Sequence, residues 1–378
     1  MPRFVSAWAL LTAGLMVGLA ACEPTNRASD QLARDSAAVQ QIDTNLTFNN
    51  ITLEQADEQG NTVWKMIAKQ ATYSEDKQVA NVTLPAGELY QDGKAIYEVK
   101  AQSGEVLQNG ERIFLRGNIE AIDLENKAVL KGEELEWIPS RSLLIIRKNL
   151  RGTHPQIQVT ADEARIHNRD RRMEMSGQVT AVTTDPVLQL KAERLVWLMR
   201  QELVVSDRPL QVTRLINQQV SDVAQGNKGN LNLQTNILTL TENARIVTTE
   251  PPLQISSSVL VWNVPQEVLT TDQPVTVIQR EEQVTLTANA GRFNLGPQTA
   301  ILTGNVRAVG QRNQAQLNSN RLNWNIRSRE VVAEGDVDYR QTNPPLTMRG
   351  PRAVGRLERQ TVTVSGGRVV TEIIPEGL

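Results

Sequence analysis

The sequence predicts an all-β fold, an antiparallel solenoid of about twenty short strands in two facing sheets. Three observations predict it. A unit of about 31 residues recurs ten times. Its apolar residues alternate with period two, and turn-forming residues punctuate it at regular intervals.

The repeat is anchored by four tryptophans. Trp137, Trp197, Trp262 and Trp324 stand 60, 65 and 62 residues apart and end the strings LKGEELEW, LKAERLVW, ISSSVLVW and LNSNRLNW. The shared pattern is apolar-x-small-x-x-Leu-x-Trp, with Leu135, Leu195, Leu260 and Leu322 at the leucine position. A sister pattern has a small residue where the leucine stood. It reads Val99, Ala101, Gly104, Val106, then Val159, Ala161, Ala164, Ile166, then Ala224, Gly226, Gly229, Leu231. It continues as Leu286, Ala288, Gly291, Phe293 and Met348, Gly350, Ala353, Gly355, with an early copy at Met66, Ala68, Ala71, Tyr73. The ten copies start at residues 66, 99, 130, 159, 190, 224, 255, 286, 317 and 348, so the steps run from 29 to 34.

Within a copy, Leu188-x-Leu190-x-Ala192 has strand periodicity, and the phase slips by one before Leu195-x-Trp197. Such a slip predicts a bulge or bend. Turns follow at Asn109-Gly110, Asn168-Arg169-Asp170 and Gly296-Pro297. A second strand comes next, as in Leu115-x-Gly117-x-Ile119, Met175-x-Gly177-x-Val179 and Leu302-x-Gly304-x-Val306. One unit is therefore two strands. The doubled period of roughly 62 residues is read as the alternation of strand direction in an antiparallel stack. A parallel β-helix fits it less well. About ten strands per sheet would make a body roughly 45–50 Å long. A single unit cannot bury its apolar face, and stacking supplies the core. No clear domain boundary falls between residues 46 and 378, and the stretched spacing near 217–230 is the best candidate for a joint between two lobes.

Composition narrows the function. The net charge is −2, from 40 basic and 42 acidic residues, which offers no field for nucleic acid or an anionic membrane surface. Hydrophobic residues reach 40%, enough for a core, while aromatics are only 4%. With one cysteine and two histidines, no His/Cys metal cluster can be built. No cofactor motif, phosphate loop or nucleophile elbow is present. The carboxylates sit at turn and outward positions, with no pair set for acid–base work. His154 and His167 read as solvated surface residues. No catalytic residue is assigned, and the chain reads as a non-enzyme.

Residues 1–22 read as a targeting segment. Arg3 is followed by an uncharged apolar stretch from Phe4 to Ala21, ending in Leu19-Ala20-Ala21-Cys22. That tetrapeptide resembles the bacterial lipobox, whose cysteine carries diacylglycerol. A plain transmembrane helix is the other reading, since about 18 apolar residues border on spanning a bilayer. Both place the body outside the cytoplasm on a membrane. Residues 23–45 read as a polar spacer.

Residues 49–125 carry a family resemblance. They hold Gly60-Asn61-Thr62-Val63-Trp64, Ala68, Ala71-Thr72-Tyr73, LYQDGKAIYEVKAQSGEV and ERIFLRGNIEAID. These strings resemble the LptC family, the membrane-anchored periplasmic component of lipopolysaccharide export. The later units MSGQVTAV and LTGNVRAV resemble the LptA/OstA repeat of the same pathway. The resemblance divides the body into an LptC-like part at 46–215 and LptA/OstA-like repeats at 216–378. It implies an elongated antiparallel β-jellyroll, or β-taco, open along one side and shielding acyl chains. It further implies a periplasmic location at the inner membrane, the outer membrane being left open. The implied partners are lipopolysaccharide or a similar lipid, the ABC transporter of that pathway, and LptA-like bridge proteins joined end to end by strand pairing. The chain departs from the family in its length and in its lipobox.

The expected lipid groove is lined by Met66, Ala68, Tyr73, Val99, Ala101, Leu135, Trp137, Ala161, Ile166, Leu195, Trp197, Leu260, Trp262, Leu286, Phe293, Leu322 and Trp324, with Cys22 as the anchor. For any one of these, core packing is the simpler reading. The collective argument for a groove is a ladder of small residues: Ala101, Ala161, Ala192, Gly226, Ser257, Ala288, Ser319 and Gly350. That ladder means either room between the sheets or a close approach of the sheets. The rival function is a lipid-anchored structural or adhesion solenoid with a filled core. A polysaccharide-acting enzyme would need outward carboxylates in register, which are not seen.

Overall fold

The computed structural model describes residues 46–373, apart from 108–109, 313, 344, 359–360 and 368. Cys22 and the spacer lie outside the described residues. Everything from Leu46 onward belongs to one compact unit. The described residues form twenty-eight strands and two single-turn 3-10 segments. No helix among them is long and apolar enough to cross a membrane.

Fourteen of the strands join end to end in seven pairs, so the chain makes twenty-one rungs. Each rung pairs antiparallel with the next rung in sequence. Thr47–Ala56 pairs with Thr62–Tyr73, which pairs with Val79–Thr83 and Ala86–Gln91, and so on to Val370–Ile373. The meander never crosses over. Short hairpin turns make this possible, because an antiparallel neighbour needs no long connection.

Each rung is bent, and the bend makes two sheets from one ladder. In Ile113–Asp123, Gly117 and Asn118 both have positive φ, 76° and 49°. The partner strand spans them with a single residue, Glu133: Arg116 pairs with Glu134, and Ile119 with Gly132. Two residues against one is a bulge, which turns the strand and re-aims its side chains. Leu115 and Ile119 therefore both point inward from different sheets. The same double left-handed corner recurs at Lys148-Asn149, Gly177-Gln178, Glu242-Asn243, Gly304-Asn305 and Gly335-Asp336. Elsewhere the corner is a break, as at Leu84 between Val79–Thr83 and Ala86–Gln91. Sheet 1 holds the half-rungs that carry Trp137, Trp197, Trp262 and Trp324, and sheet 2 holds the others.

The alternating pattern decides which residues face in. Along Arg172–Thr183 the buried residues are Met173, Met175, Val179, Ala181 and Thr183, so the phase slips at the corner. Inward residues of both sheets join one core that runs from Leu53 to Trp324. A smaller cluster of Ala333, Val337 and Ala353 follows it. Burying each aliphatic side chain contributes about 1.5–3 kcal/mol, which makes stacking the main source of stability.

Three expectations need correction. First, the unit starts 66, 99, 130, 159, 190, 224, 255, 286, 317 and 348 all fall in alternate rungs, which run in one direction. One unit already restores direction, so the doubled period has another cause. It is an alternation of bulk in sheet 1: Leu135 with Trp137 alternates with Ala164 and Ile166, then Leu195 with Trp197. An indole spreads over its ladder neighbours, and equal bulk on the next unit would overfill a close-packed interior. Second, every rung crosses both sheets, so each sheet has about twice the expected strands. Twenty steps of about 4.8 Å put the end rungs roughly 95 Å apart along the stack. Third, no joint interrupts 217–230. Leu210–Ile216 pairs with Gln219–Gly226 through a tight turn, and that strand pairs onward with Ile237–Thr248. The extra length lies in the arms of the hairpin, where Arg214, Leu215 and Ile216 pair with Asp222, Val220 and Gln219 past a bulge at Ser221, and Asn217 and Gln218, with φ of 50° and 64°, close it as a two-residue turn.

Candidate functional site

The bent rungs leave two free lips opposite the corner. Lip 1 is the row of turns ending sheet 1, among them 139–142, 168–171, 199–202, 264–267 and 326–329. Lip 2 is the row ending sheet 2, among them 124–127, 154–156, 184–187, 249–252 and 280–283. The residues between corner and lips are the interior.

The residues expected to line a groove face that interior as core residues. Met66 and Ala68 lie on Thr62–Tyr73, and Leu135 and Trp137 on Val129–Ile138. Ala161 and Ile166 lie on Ile157–His167, and Leu195 and Trp197 on Leu188–Leu198. Val99, Leu260, Trp262, Leu286, Phe293, Leu322 and Trp324 take equivalent places. All of these are buried in the one core, while Tyr73 and Ala101 are half-buried and pack against it. Apart from a cavity of about 140 Å³ beside Leu286, Leu317 and Trp324, the side chains fill the space between the sheets, and the ladder of small residues leaves no open lane. Those residues sit at the corner, where the sheets converge. A Cβ on Gly226 would lie 3.0 Å from the Lys228 carbonyl oxygen and 3.3 Å from Leu240. Smallness there permits close approach and the bend.

The interior has one chemical oddity. The indole Nε1 donors of Trp64, Trp137, Trp197, Trp262 and Trp324 are all buried without a hydrogen-bond partner. An unsatisfied buried donor costs about 1–3 kcal/mol, and natural interiors keep such groups few. Here five recur along one apolar space.

The lips meet in a polar seam. The Tyr97 hydroxyl donates to Asn168 Oδ1 at 2.7 Å, and Asn168 Nδ2 donates to the Ser142 carbonyl at 3.0 Å. Arg171 reaches Asp123 at 3.6 Å and Glu125 at 3.5 Å. Gln156 Nε2 donates to Glu202 at 3.0 Å, and Asn236 Nδ2 to the Asp185 carbonyl at 3.4 Å. Arg214 pairs with Glu267 at 2.6 Å and Asp222 at 3.5 Å, and lies 6.0 Å over the Trp262 ring. Glu282 pairs with Arg329 at 3.2 Å and Arg312 at 3.3 Å. A lip 2 residue meets lip 1 three to five rungs further along. In sequence, the hydrogen-bonded partners are 46 to 73 residues apart. Sheet twist produces that offset.

The seam perturbs its own titration. Burial raises Asp222 above the ordinary carboxylate range, and the nearby Glu267 charge adds to this, while the Ser221 hydroxyl and Arg214 pull it down. Tyr97 is pushed up by burial first and then by the Asp123 charge. His154 is lowered by burial. That histidine is not a solvated surface residue: it is half-buried with its ring 5.0 Å from Trp197. His167 is also half-buried, 3.5 Å from Glu174. Nor are the carboxylates all outward and solvated: Asp123 and Asp222 are buried on the inward alternation, and Glu136, outward between Leu135 and Trp137, is buried as well. Each has an arginine: Arg171, Arg147 and Arg214 respectively.

The seam was not visible beforehand. Asn168-Arg169-Asp170 reads as a turn, and no local pattern says that it meets Tyr97. Among the described residues, no group of three or more His, Cys, Asp or Glu is placed to hold a metal ion.

Comparison with known proteins adds the identity. No curated protein matches the chain. The profile of the LptC family, described as lipopolysaccharide-assembly, LptC-related, matches residues 9–145 and again residues 142–221. Two successive matches suit a chain that repeats its unit. Together they cover more than half of its length. An all-antiparallel ladder with an apolar interior, matched twice by that profile, belongs to the LptC family of lipopolysaccharide-assembly proteins.

Proposed function

We propose that the chain is a periplasmic lipid-transfer bridge. Lipopolysaccharide acyl chains would travel between its two sheets while the head group stays in water. The observation that supports this most is an apolar interior whose open side is closed, among the described residues, by side-chain contacts between the lips and not by a β-ladder: polar ones such as Arg214 with Glu267, and apolar ones from Val264 and Leu295. Side-chain pairs at a lip are separate contacts and part more easily than the continuous backbone bonding of a β-ladder, although buried pairs such as Arg171 with Asp123 cost more to break than exposed ones. The cargo has every reason to stay inside, because apolar surface is worth about 25 cal/mol per Å². The corner then acts as the fold and the seam as the opening.

Family membership supports the rest of the proposed assembly. The energy comes from a partner ABC transporter of the pathway. LptA-like proteins continue the bridge by strand pairing at the ends of the ladder. Cys22, if lipidated, holds the body at the inner membrane. Membership makes the chain a component of lipopolysaccharide transport. Its role in that transport is binding and passage, with no reaction assigned.

The filled interior favours a second reading, a lipid-anchored structural solenoid. The two are separated by a photoreactive residue at position 195 or 322 in exporting cells. The bridge reading expects crosslinks to lipopolysaccharide and loss of export in Leu195→Arg and Leu322→Arg. Crosslinks to protein alone, with normal export in both arginine variants, would establish the structural reading.

A further inference from the structure

The net charge of −2 averages over faces that differ. On the outer surface of sheet 2, two rows of side chains run across the ladder between the corner and lip 2. The first row passes from Lys131 through Arg151, Lys191, Arg245 and Arg307 to Asn318, thirteen rungs in unbroken register. Its remaining positions are Thr, Ser or Gln. The second row crosses the same rungs from Val129 to Gln316 and holds only Val, Ile, Thr and Gln. Neither row contains a carboxylate. The stripe is bounded: before it the same face carries Glu88, Glu98 and Glu120, and beyond Asn318 the row meets Asp338. Carboxylates return at the corner, as at Asp162 and Glu193, and edge the stripe on that side.

Lys131 is neutralised by Glu120 at 3.1 Å. Arg151, Lys191, Arg245 and Arg307 are exposed, and among the described residues they have no ion-pair partner. Arg245 donates to Gln254 at 2.9 Å and Arg307 to Gln316 at 3.3 Å, which ties both guanidinium groups to the face. Beside Lys191 lies a shallow depression of about 390 Å³ among Gln211, Gln225, Gly226 and Asn243, whose amides offer both donors and acceptors.

Cations without a counter-charge in the protein suit an external anion, and three properties narrow which. The four stand three or four rungs apart, roughly 14–19 Å, which exceeds a Debye length of about 8 Å at physiological ionic strength. They act separately and match a partner of sparse charge. A nucleic acid, with one charge per ~1.7 Å of duplex, would leave most of its charge unmatched, and neither row has an aromatic ring on which bases could stack. Between the cations, hydroxyl and amide side chains repeat and suit a chain that itself bears hydroxyls and amides. Finally, the twist that offsets the lips also winds the stripe around the body. A flexible strand can follow a winding stripe, whereas a planar bilayer meets only part of it.

We propose that the outer face of sheet 2 is a docking track for an anionic glycan strand, a chain of sugars with carboxylates spaced among hydroxyl and acetamide groups. Arg151, Lys191, Arg245 and Arg307 take the carboxylates, and the Thr and Gln side chains between them take the hydroxyls and amides. The track is independent of what travels between the sheets.

The test uses the full chain held in phosphatidylcholine nanodiscs and a hyaluronan oligosaccharide as the probe, with binding followed by calorimetry. Saturable binding that weakens as salt rises is expected. The triple variant Lys191→Gln/Arg245→Gln/Arg307→Gln should bind at least about tenfold more weakly, the sum of three exposed charge contacts. Arg292→Gln/Arg321→Gln, exposed on the outer face of sheet 1, should bind like the wild type. The uncharged chitin oligosaccharide should bind far more weakly than hyaluronan. No binding of hyaluronan overturns the track. Equal loss in the sheet 1 variant overturns it too, since any surface cation would then serve, and equal binding of the uncharged sugar removes the role of charge. Phosphatidylglycerol vesicles that bind more tightly than hyaluronan, with the same dependence on the triple variant, would make the face a membrane contact and overturn the glycan assignment.

Discussion

Replacing Arg214 by alanine strips two carboxylates of their shared counter-charge. Arg214 is 14% exposed, Asp222 is 3% exposed, and Glu267 is 37% exposed. The Glu267 contact is half in water and is worth at most about 1 kcal/mol. Asp222 is different, because removing one partner of a buried pair leaves a charge uncompensated, at about 3–5 kcal/mol. The Ser221 hydroxyl still donates to Asp222 at 2.7 Å, so the lower end applies, about 3 kcal/mol at pH 7. The pH dependence has a definite sign. Burial has already raised the Asp222 pKa, and loss of Arg214 raises it further. A raised carboxyl contributes stability that is present below its unfolded pKa of about 3.9 and is lost as pH rises through the folded value. The penalty of Arg214→Ala should therefore shrink on acidification from pH 7 towards pH 4.5. Urea unfolding followed at Trp262, which lies under the guanidinium, reads the change locally. Arg214→Ala/Asp222→Asn should recover most of the loss at pH 7. A penalty that is the same at both pH values, or no recovery in the double variant, would refute the argument.

Three other outcomes are expected. Trp137→Ala should destabilise by about 3–5 kcal/mol in urea unfolding, whereas Trp137→Phe should cost far less, since it also removes an unsatisfied donor. Substitutions at corners should differ in sign: Gly304→Ala, with φ 76° and a new Cβ 2.9 Å from Asn289, should cost about 1–2 kcal/mol. Glu242→Gly, at φ 59° in the equivalent corner, should gain about 0.5 kcal/mol, the exposed Lys228 partner contributing little. The third concerns His154. Its lowered pKa means that the neutral ring against Trp197 contributes stability above the unfolded pKa of about 6.5, lost as pH falls through the folded value. The midpoint of thermal unfolding should thus drop on acidification below pH 6.5, and His154→Gln should flatten that slope.

The ladder was largely legible because its determinants are local. Alternation placed Leu188, Leu190, Leu195 and Trp197 inward, and the one-residue slip between them is the bend. All ten unit starts fall in equivalent rungs for the same reason. The motif Leu115-x-Gly117-x-Ile119 looked like plain alternation, although Gly117 and Asn118 are a corner. One sequence does not print φ, and only a glycine followed by Asn or Gln hints at two left-handed residues in a row. The small-residue ladder carried two readings, and only the position of Gly226 at the bend decides between them. The seam was invisible for a deeper reason: Arg214 and Glu267 are 53 residues apart, and their meeting depends on the accumulated twist of several rungs.

That offset bears on how the molecule yields to force. A solenoid bonded only between nearest neighbours can fray one rung at a time. Here each lip contact staples a rung to one three to five places along, so no single rung can swing out while its staples hold. The smallest independent opening spans about four rungs, or two sequence repeats, close to 20 Å of ladder. A gap, once made, moves along the seam like a slider, with staples breaking ahead of it and closing behind it.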